Sequence, residues 1–257
     1  KVIPALAAGC TMVLKPSELI PEPAIILMEI LEDVGVPPGV VNMVQGDGPV
    51  VGAAIASHPE VDMISFTGST QGGIAVAELA AKSVKRVSQE LGGKAANILL
   101  DDVDFETAVD RGIRLCFRNS GQSCNSPSRM LVPKKRLDQV ISFAKTSVNL
   151  IKVGYPIDDG VDLGPVVSCK QWESIQSFIN IGIREGATLI AGGPNRPDGF
   201  DSGYFVKPTI FSGVTSDMTI SKEEIFGPVL CIMTYENEDH AIQIANETPF
   251  GLAAYVE

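Results

Sequence analysis

The sequence predicts an α/β fold built on a parallel sheet. Short β-rich runs alternate with helix-length amphipathic stretches along most of the 257 residues, and parallel strands need a crossover helix between them. Glycine and proline punctuate these runs, and a hydrophobic content of 45% is enough to cover a sheet on both faces.

Thr11 to Leu14 is the first strand candidate, closed by the polar loop Lys15-Pro16-Ser17-Glu18. A helix is expected from Pro23 to Val34, with proline in its first turn, an apolar face at Ile26, Leu27, Ile30, Leu31 and Val34, and Gly35 as its stop. A strand at Val40–Val44, a turn at Gly46-Asp47-Gly48-Pro49, and a small-residue helix reaching Ser57 come next. Then follow a strand at Asp62–Phe66, a helix from the Thr67-Gly68-Ser69-Thr70 turn to Lys82, and strands at Lys85–Gln89 and Ala96–Leu100. This order implies one parallel sheet with helices on both faces. Further on, helices are expected at Phe105–Arg118, Leu137–Ile151 and Gln171–Glu185, and strands at Arg129–Val132, Thr188–Ala191, Phe205–Phe211 and Leu230–Tyr235. Gly154–Pro165 is turn-rich, and Ala254–Glu257 is again strand-like.

A net charge of −11 argues against a nucleic-acid or anionic-membrane partner, which would repel the chain at long range. The opening Lys1–Cys10 has one cation and too short an apolar run for a secretory signal, and no segment has the apolar length of a membrane span. Five cysteines form no C-x-x-C pair and only two histidines accompany them, so neither a zinc site nor a disulfide framework is expected. A reducing cytoplasm is the default location. The first residue is not methionine and the last falls inside an apolar run, which suggests a piece of a longer chain.

Four local features carry candidate chemistry. In sheets of this kind ligands bind beyond the carboxyl ends of the strands. Gly68 and Ser69 fall there, ahead of a helix whose free N–H groups favour phosphate; an ordinary serine N-cap explains them equally well. Lys15 and Glu18 follow the first strand, where an ammonium and a carboxylate could hold ribose hydroxyls and the carboxylate would repel the extra phosphate of NADP; a solvated loop is the alternative. Cys124 follows Gly121-Gln122-Ser123, a setting of small residues that lets an electrophile and backbone N–H groups approach a thiol, although a buried apolar role suits many cysteines. Glu90 ends a strand just before Gly92-Gly93, and by itself reads as a surface acid. Cys10, Cys116, Cys169 and Cys231 are read as core.

Taken together, Pro4–Gly9, Lys15–Glu18, Phe66–Thr70, Glu90-Leu91-Gly92-Gly93-Lys94, Gly121–Cys124, Glu223-Glu224-Ile225-Phe226-Gly227-Pro228 and Pro249–Leu252 resemble, in order and spacing, the aldehyde dehydrogenase superfamily over essentially the whole chain. The resemblance implies a Rossmann-like cofactor domain at residues 1–93 and a second α/β, catalytic domain at 94–257, both partial. It implies Cys124 as nucleophile and Glu90 as general base. It also implies NAD contacts from Lys15 and Glu18 at the adenosine ribose, Gly48 and Pro49 around the adenine, and Gly68 and Ser69 at the pyrophosphate. Leu91, Gln171, Glu224 and Phe226 would lie around the nicotinamide and its ribose.

The implied reaction is NAD-dependent oxidation of an aldehyde to a carboxylic acid, through a thiohemiacetal and a thioester on Cys124 hydrolysed by water that Glu90 activates. The implied partners are a small aldehyde and, for the whole protein, further copies of itself in a homodimer or homotetramer, with no metal. Two elements of the family pattern are missing: the oxyanion-hole asparagine of a Trp-Asn-Phe-Pro-like stretch, and the oligomerisation hairpin after Leu252. Loss of one oxyanion donor costs roughly 10²–10³ in rate, so the chain taken alone is expected to bind without useful turnover. A CoA-acylating semialdehyde dehydrogenase and a non-catalytic dinucleotide-binding protein remain as alternatives, the first disfavoured by Glu90.

Overall fold

A computed structural model describes all residues, Lys1–Glu257. The chain forms two compact units, residues 1–91 and 92–257.

The first unit contains α1 (Val2–Ala7), β1 (Met12–Leu14), α2 (Glu22–Asp33), β2 (Val41–Met43), a π-helical turn (Gly48–Gly52) continuing into α3 (Ala53–Ser57), β3 (Met63–Thr67), α4 (Thr70–Ala81) and β4 (Arg86–Glu90). Its strands are parallel, as the alternation requires, but they form two separate pairs, β1 with β2 and β3 with β4, instead of the single sheet expected from sequence. With only three residues in each of β1 and β2, the first pair makes a short ladder. The fourth helix starts at a serine cap, where Ser69 Oγ accepts from the Gly72 N–H at 3.2 Å. The opening helix α1 was not expected: it contains Pro4, has no side-chain cap and buries no residue, so no periodic signal marks it.

The second unit is a six-stranded sheet in the order β10-β5-β6-β9-β8-β7. Its strands are β5 (Ala96–Ile98), β6 (Arg129–Pro133), β7 (Thr188–Ala191), β8 (Thr209–Ser212), β9 (Val229–Tyr235) and β10 (Tyr255–Val256), all parallel except for the β7–β8 pair. The helices are α5 (Phe105–Phe117), α6 (Leu137–Asn149), α7 (Cys169–Arg184), α8 (Thr219–Lys222) and α9 (Glu238–Asn246). Alternate residues of β9 face opposite layers. Val229, Cys231 and Met233 pack with Ile175 and Ile179 of α7, while Leu230 and Ile232 pack with Ile113 of α5 and Val140 of α6.

Three sequence expectations need correction here. The Ala96–Leu100 run, which the strand order placed in one sheet with the runs before it, pairs instead with β6 and β10. The Phe205–Phe211 strand begins only at Thr209, since Pro208 has no N–H to give a ladder. Cys116 and Cys231 are core, but Cys10 and Cys169 are exposed: Cys10 follows the short helix α1, and Cys169 opens α7.

The buried Arg129 closes one end of the second unit. Its guanidinium donates to Lys94 O at 2.9 Å, Ile244 O at 2.9 Å and Ala245 O at 2.8 Å, joining the start of β5, the start of β6 and the end of α9.

Candidate active site

Cys124 lies on the loop between α5 and β6, and the sequence bends sharply to put it there. Helix α5 ends in a short 3₁₀ turn, Arg118–Gly121, in which Asn119 (φ 54°), Ser120 (φ 56°) and Gly121 (φ 73°) are all left-handed. Two of these are not glycine, so the conformation costs about 1–3 kcal/mol per residue and must be held by its surroundings. Ser120 Oγ donates to Gly164 O at 2.8 Å, Asn119 Nδ2 donates to Gln122 O at 3.1 Å, and Gln122 Oε1 accepts from the Val167 N–H at 2.9 Å. A Cβ on Gly121 would stand 2.1 Å from Gly227 O, so only glycine fits.

Beyond this bend Cys124 is exposed. Its backbone runs beside the glycine pair that begins the second unit: a Cβ on Gly93 would lie 2.5 Å from Cys124 O. Glu224 covers the same pair. The Gly93 N–H donates to Glu224 Oε1 at 3.2 Å, and a Cβ on Gly92 would stand 1.9 Å from Glu224 Oε2. Burial holds the Glu224 carboxyl above the usual carboxylate range, opposed by the Gly93 N–H and by the charge of Lys94. Gln171, in the first turn of α7, donates from Nε2 to Ile225 O at 3.0 Å and to Phe226 O at 2.9 Å. Those bonds fix the segment in which Phe226, at φ 53°, presents a partly exposed ring.

Cys124, Glu224, Gln171 and Phe226 thus belong to one connected framework within residues 92–257. Gly92, Gly93, Gly121 and Gly227 complete it. The sequence reading gave these glycines no role of their own, although Gly92 and Gly93 are visible as an adjacent pair.

Burial pushes the Cys116 thiol up to about 12 and raises Cys231 as well. Neither is a nucleophile. Cys169 is raised by desolvation and by Glu173, whose Oε1 accepts from its Sγ at 3.6 Å.

In residues 1–91 the candidate residues form two groups. Lys15 Nζ donates to Pro16 O at 2.5 Å, to Gly46 O at 2.9 Å and to Glu18 Oε2 at 3.1 Å, using all three of its protons. Backbone N–H groups, its own first, and then Lys15 hold the Glu18 carboxyl below the usual range, with the Gly48 N–H contributing. Gly48 opens the π-helical turn and Pro49 follows it, exposed. In the second group, Gly68 and Ser69 precede α4, with the Gly68 N–H donating to Glu90 O at 3.1 Å. In the first turn of α4 the Gly72 N–H goes to Ser69 Oγ, and those of Thr70 and Gln71, beside a residue lacking Cβ, suit a phosphate-sized anion. Glu90, exposed, ends β4, and the half-buried Leu91 packs against α4, where a Cβ on Gly73 would touch its Cδ2 at 2.7 Å. No group of three or more His, Cys, Asp or Glu side chains is placed to hold a metal ion.

A family model described as "Aldehyde dehydrogenase family" matches residues 1–257. Among curated proteins, a 3-succinoylsemialdehyde-pyridine dehydrogenase from a Pseudomonas species is 59% identical over 256 residues, covering 100% of this chain and 54% of that protein. A putative aldehyde dehydrogenase of Staphylococcus aureus is 50% identical, with the same coverage. The chain spans about half the length of the curated relatives it matches. Among solved structures, a mutant of aldehyde dehydrogenase C from Pseudomonas syringae, in complex with NAD⁺ and octanal, superposes with a TM-score of 0.99 at 52% identity, over 100% of this chain and 53% of that one. A point mutant of betaine aldehyde dehydrogenase from S. aureus, in complex with NAD⁺, gives a TM-score of 0.96 at 40% identity, over 100% of this chain and 52% of that one.

Proposed function

The chain belongs to the aldehyde dehydrogenase family, and from that premise we propose that the protein carrying it oxidises an aldehyde to a carboxylic acid with NAD⁺ as hydride acceptor. The observation that carries this reading is the Cys124 loop. An exposed thiol follows three consecutive left-handed residues, with its backbone against Gly93. A strained bend supported by specific hydrogen bonds is what a nucleophile held in one position requires.

The residues of the first unit fit NAD⁺. Gly68, Ser69 and the start of α4 suit the diphosphate, and Lys15 and Glu18 suit ribose hydroxyls, with Glu18 disfavouring a 2′-phosphate. Gly48 and Pro49 would flank the adenine, and Leu91, Gln171, Glu224 and Phe226 the nicotinamide end. When bound, NAD⁺ supplies the hydride acceptor.

The chain's own residues do the rest. Cys124 Sγ adds to the carbonyl carbon, and the oxyanion so formed is stabilised by backbone N–H groups, that of Cys124 among them. After oxidation Cys124 holds the acyl group as a thioester, and the Glu90 carboxylate takes a proton from the attacking water. Five free thiols fit a reducing cytoplasm, and assembly into a homodimer or homotetramer belongs to the same reading.

Limiting iodoacetamide followed by peptide mapping tests the nucleophile. Labelling at Cys124 should be slowed by NAD⁺ and by aldehyde, while labelling at the exposed Cys10 and Cys169 is not. Equal protection of all three, or none at Cys124, removes the assignment.

A further inference from the structure

The hydrogen bonds at Asn119, Ser120 and Gln122 hold the Cys124 loop ahead of the thiol. Behind the thiol the chain is held from elsewhere. Cys124 and Asn125 are the central residues of a tight turn, closed by the Ser126 N–H donating to Ser123 O at 3.0 Å. Ser126 Oγ donates to Cys116 O at 2.9 Å, which ties the exit of the turn back to α5. Two successive carbonyls then face outward from the turn, Cys124 O and Asn125 O.

Each of them meets a neighbouring part of the second-unit sheet. Cys124 O stands against Gly93, just ahead of β5, at 2.5 Å from where a Cβ would be. Asn125 O accepts from the hydroxyl of the half-buried Tyr255, the first residue of β10, at 3.1 Å. Strands β5 and β10 are parallel neighbours with Tyr255 opposite Asn97, and the Glu257 N–H donates to Ile98 O at 2.9 Å while the Leu100 N–H donates to Glu257 O at 2.8 Å. Both supports therefore belong to one hydrogen-bonded ladder and keep a fixed separation. A turn of this kind changes type by rotating its peptide planes. With Cys124 O packed on Gly93 and Asn125 O tied to Tyr255, both planes that follow the thiol are fixed.

We propose that Tyr255 positions the nucleophile: its hydroxyl locks the Cys124–Asn125 turn, so that Cys124 Sγ and the Cys124 N–H stay aimed at the same carbonyl group. The sulfur would attack the carbon while the N–H receives the oxyanion, and a rotated turn would separate the two directions. This rests on the reading of Cys124 as nucleophile and adds a residue, distant in sequence, on which its aim depends.

The test uses the polypeptide as its gene encodes it and Tyr255→Phe, which keeps the ring and removes only the hydroxyl. The substrate is whichever of hexanal, benzaldehyde and succinic semialdehyde the native enzyme oxidises fastest. Stopped-flow measurement of the first turnover of NADH formation, at saturating NAD⁺ and aldehyde, reports the acylation of Cys124. Tyr255→Phe is expected to slow it by about threefold to tenfold, the scale of one hydrogen bond. The dissociation constant for NAD⁺ and the melting temperature should hold, which a hydroxyl that merely supported the fold would not leave in place. A first turnover as fast as the native one overturns the inference. So does a slower one accompanied by earlier unfolding or by an equal loss of NAD⁺ affinity. Native enzyme that oxidises none of the three aldehydes, or a Cys124→Ala variant that still forms NADH, removes the reading of Cys124 and this inference with it.

Discussion

Residues 1–91 and 92–257 follow the same alternation of strand and helix, yet they bury very different amounts of it. In the first unit only Leu31, Val41, Ala56 and Ala80 are buried hydrophobics, and α2 leaves Ile26 and Ile30 open on one face, with Val34 exposed just beyond its end. In the second, Met130, Leu131 and Val132 of β6 and Val229, Leu230, Cys231 and Ile232 of β9 are almost fully covered. The candidate residues share the contrast. Of those in 1–91, Glu18, Pro49, Gly68, Ser69 and Glu90 are exposed, whereas Cys124 follows a bend packed backbone on backbone. Close packing transmits strain and an open turn yields to it, so on the proposed reading the thiol is held by the tighter unit, while the candidate cofactor contacts are drawn from both.

A pair of matched substitutions puts that contrast at risk. Gly121→Ala forces a methyl to 2.1 Å from Gly227 O at a left-handed φ, against the Gly227–Pro228 backbone and with no side chain to give way. It is expected to cost about 3 kcal/mol or more in urea denaturation. Gly68→Ala also creates a short contact, 2.6 Å, but with the far end of the half-buried Phe66 ring, a side chain that can shift where backbone cannot. Its cost should stay under about 1 kcal/mol. Equal costs would mean that the two units are equally tight, and the division of labour argued from packing would fall.

The same contrast explains what the sequence made readable. Helices α4, α5, α6 and α7 and strands β3, β6 and β9 announce themselves through caps, apolar spacing and β-rich runs, all of which are local. Helix α9 carries such signals too, with Asn237 capping the His240 N–H and Glu238 and Asp239 in the first turn, and they went unread. Helix α1 carries none, whereas the two-residue β10 falls within the Ala254–Glu257 run read as strand-like. That the first-unit strands form two pairs is set by partners distant in sequence, which periodicity does not report. The candidate residues were readable as motifs, but the bend at Asn119 and Ser120 was not, since serine gives no signal of a positive φ and a single asparagine only a weak one. Nor was Glu224 lying over Gly92, a contact between residues far apart in the chain.

A smaller effect sharpens the comparison from the open side. If the first unit recognises rather than constrains, changing the Glu18 carboxylate should alter which cofactor is used without altering the fold. Glu18→Gln is expected to lower the preference for NAD⁺ over NADP⁺, in kcat/KM, by about tenfold, the scale of one charge–charge contact near the surface. The melting temperature should hold. A variant that unfolds early, or one whose preference is intact, would make Glu18 a structural partner of Lys15 and nothing more.

The smallest effect separates the two units by the sign of a slope. Burial raises the Glu224 carboxyl, so near its titration the folded state binds more protons than the unfolded one. Stability from this group is therefore present below the ordinary carboxylate pKa and is lost as pH rises through the raised value. Glu18 is lowered, so its contribution runs the other way: present above the ordinary value and lost as pH falls through the lowered one. Denaturant unfolding of the cofactor-free protein between acid and neutral pH measures both. Glu224→Gln should flatten the decline with rising pH, and Glu18→Gln should flatten the rise, more weakly because that carboxylate is screened by water. Two slopes of the same sign would mean that Glu224 is as well solvated as Glu18, and that the glycine pair it covers is open to water.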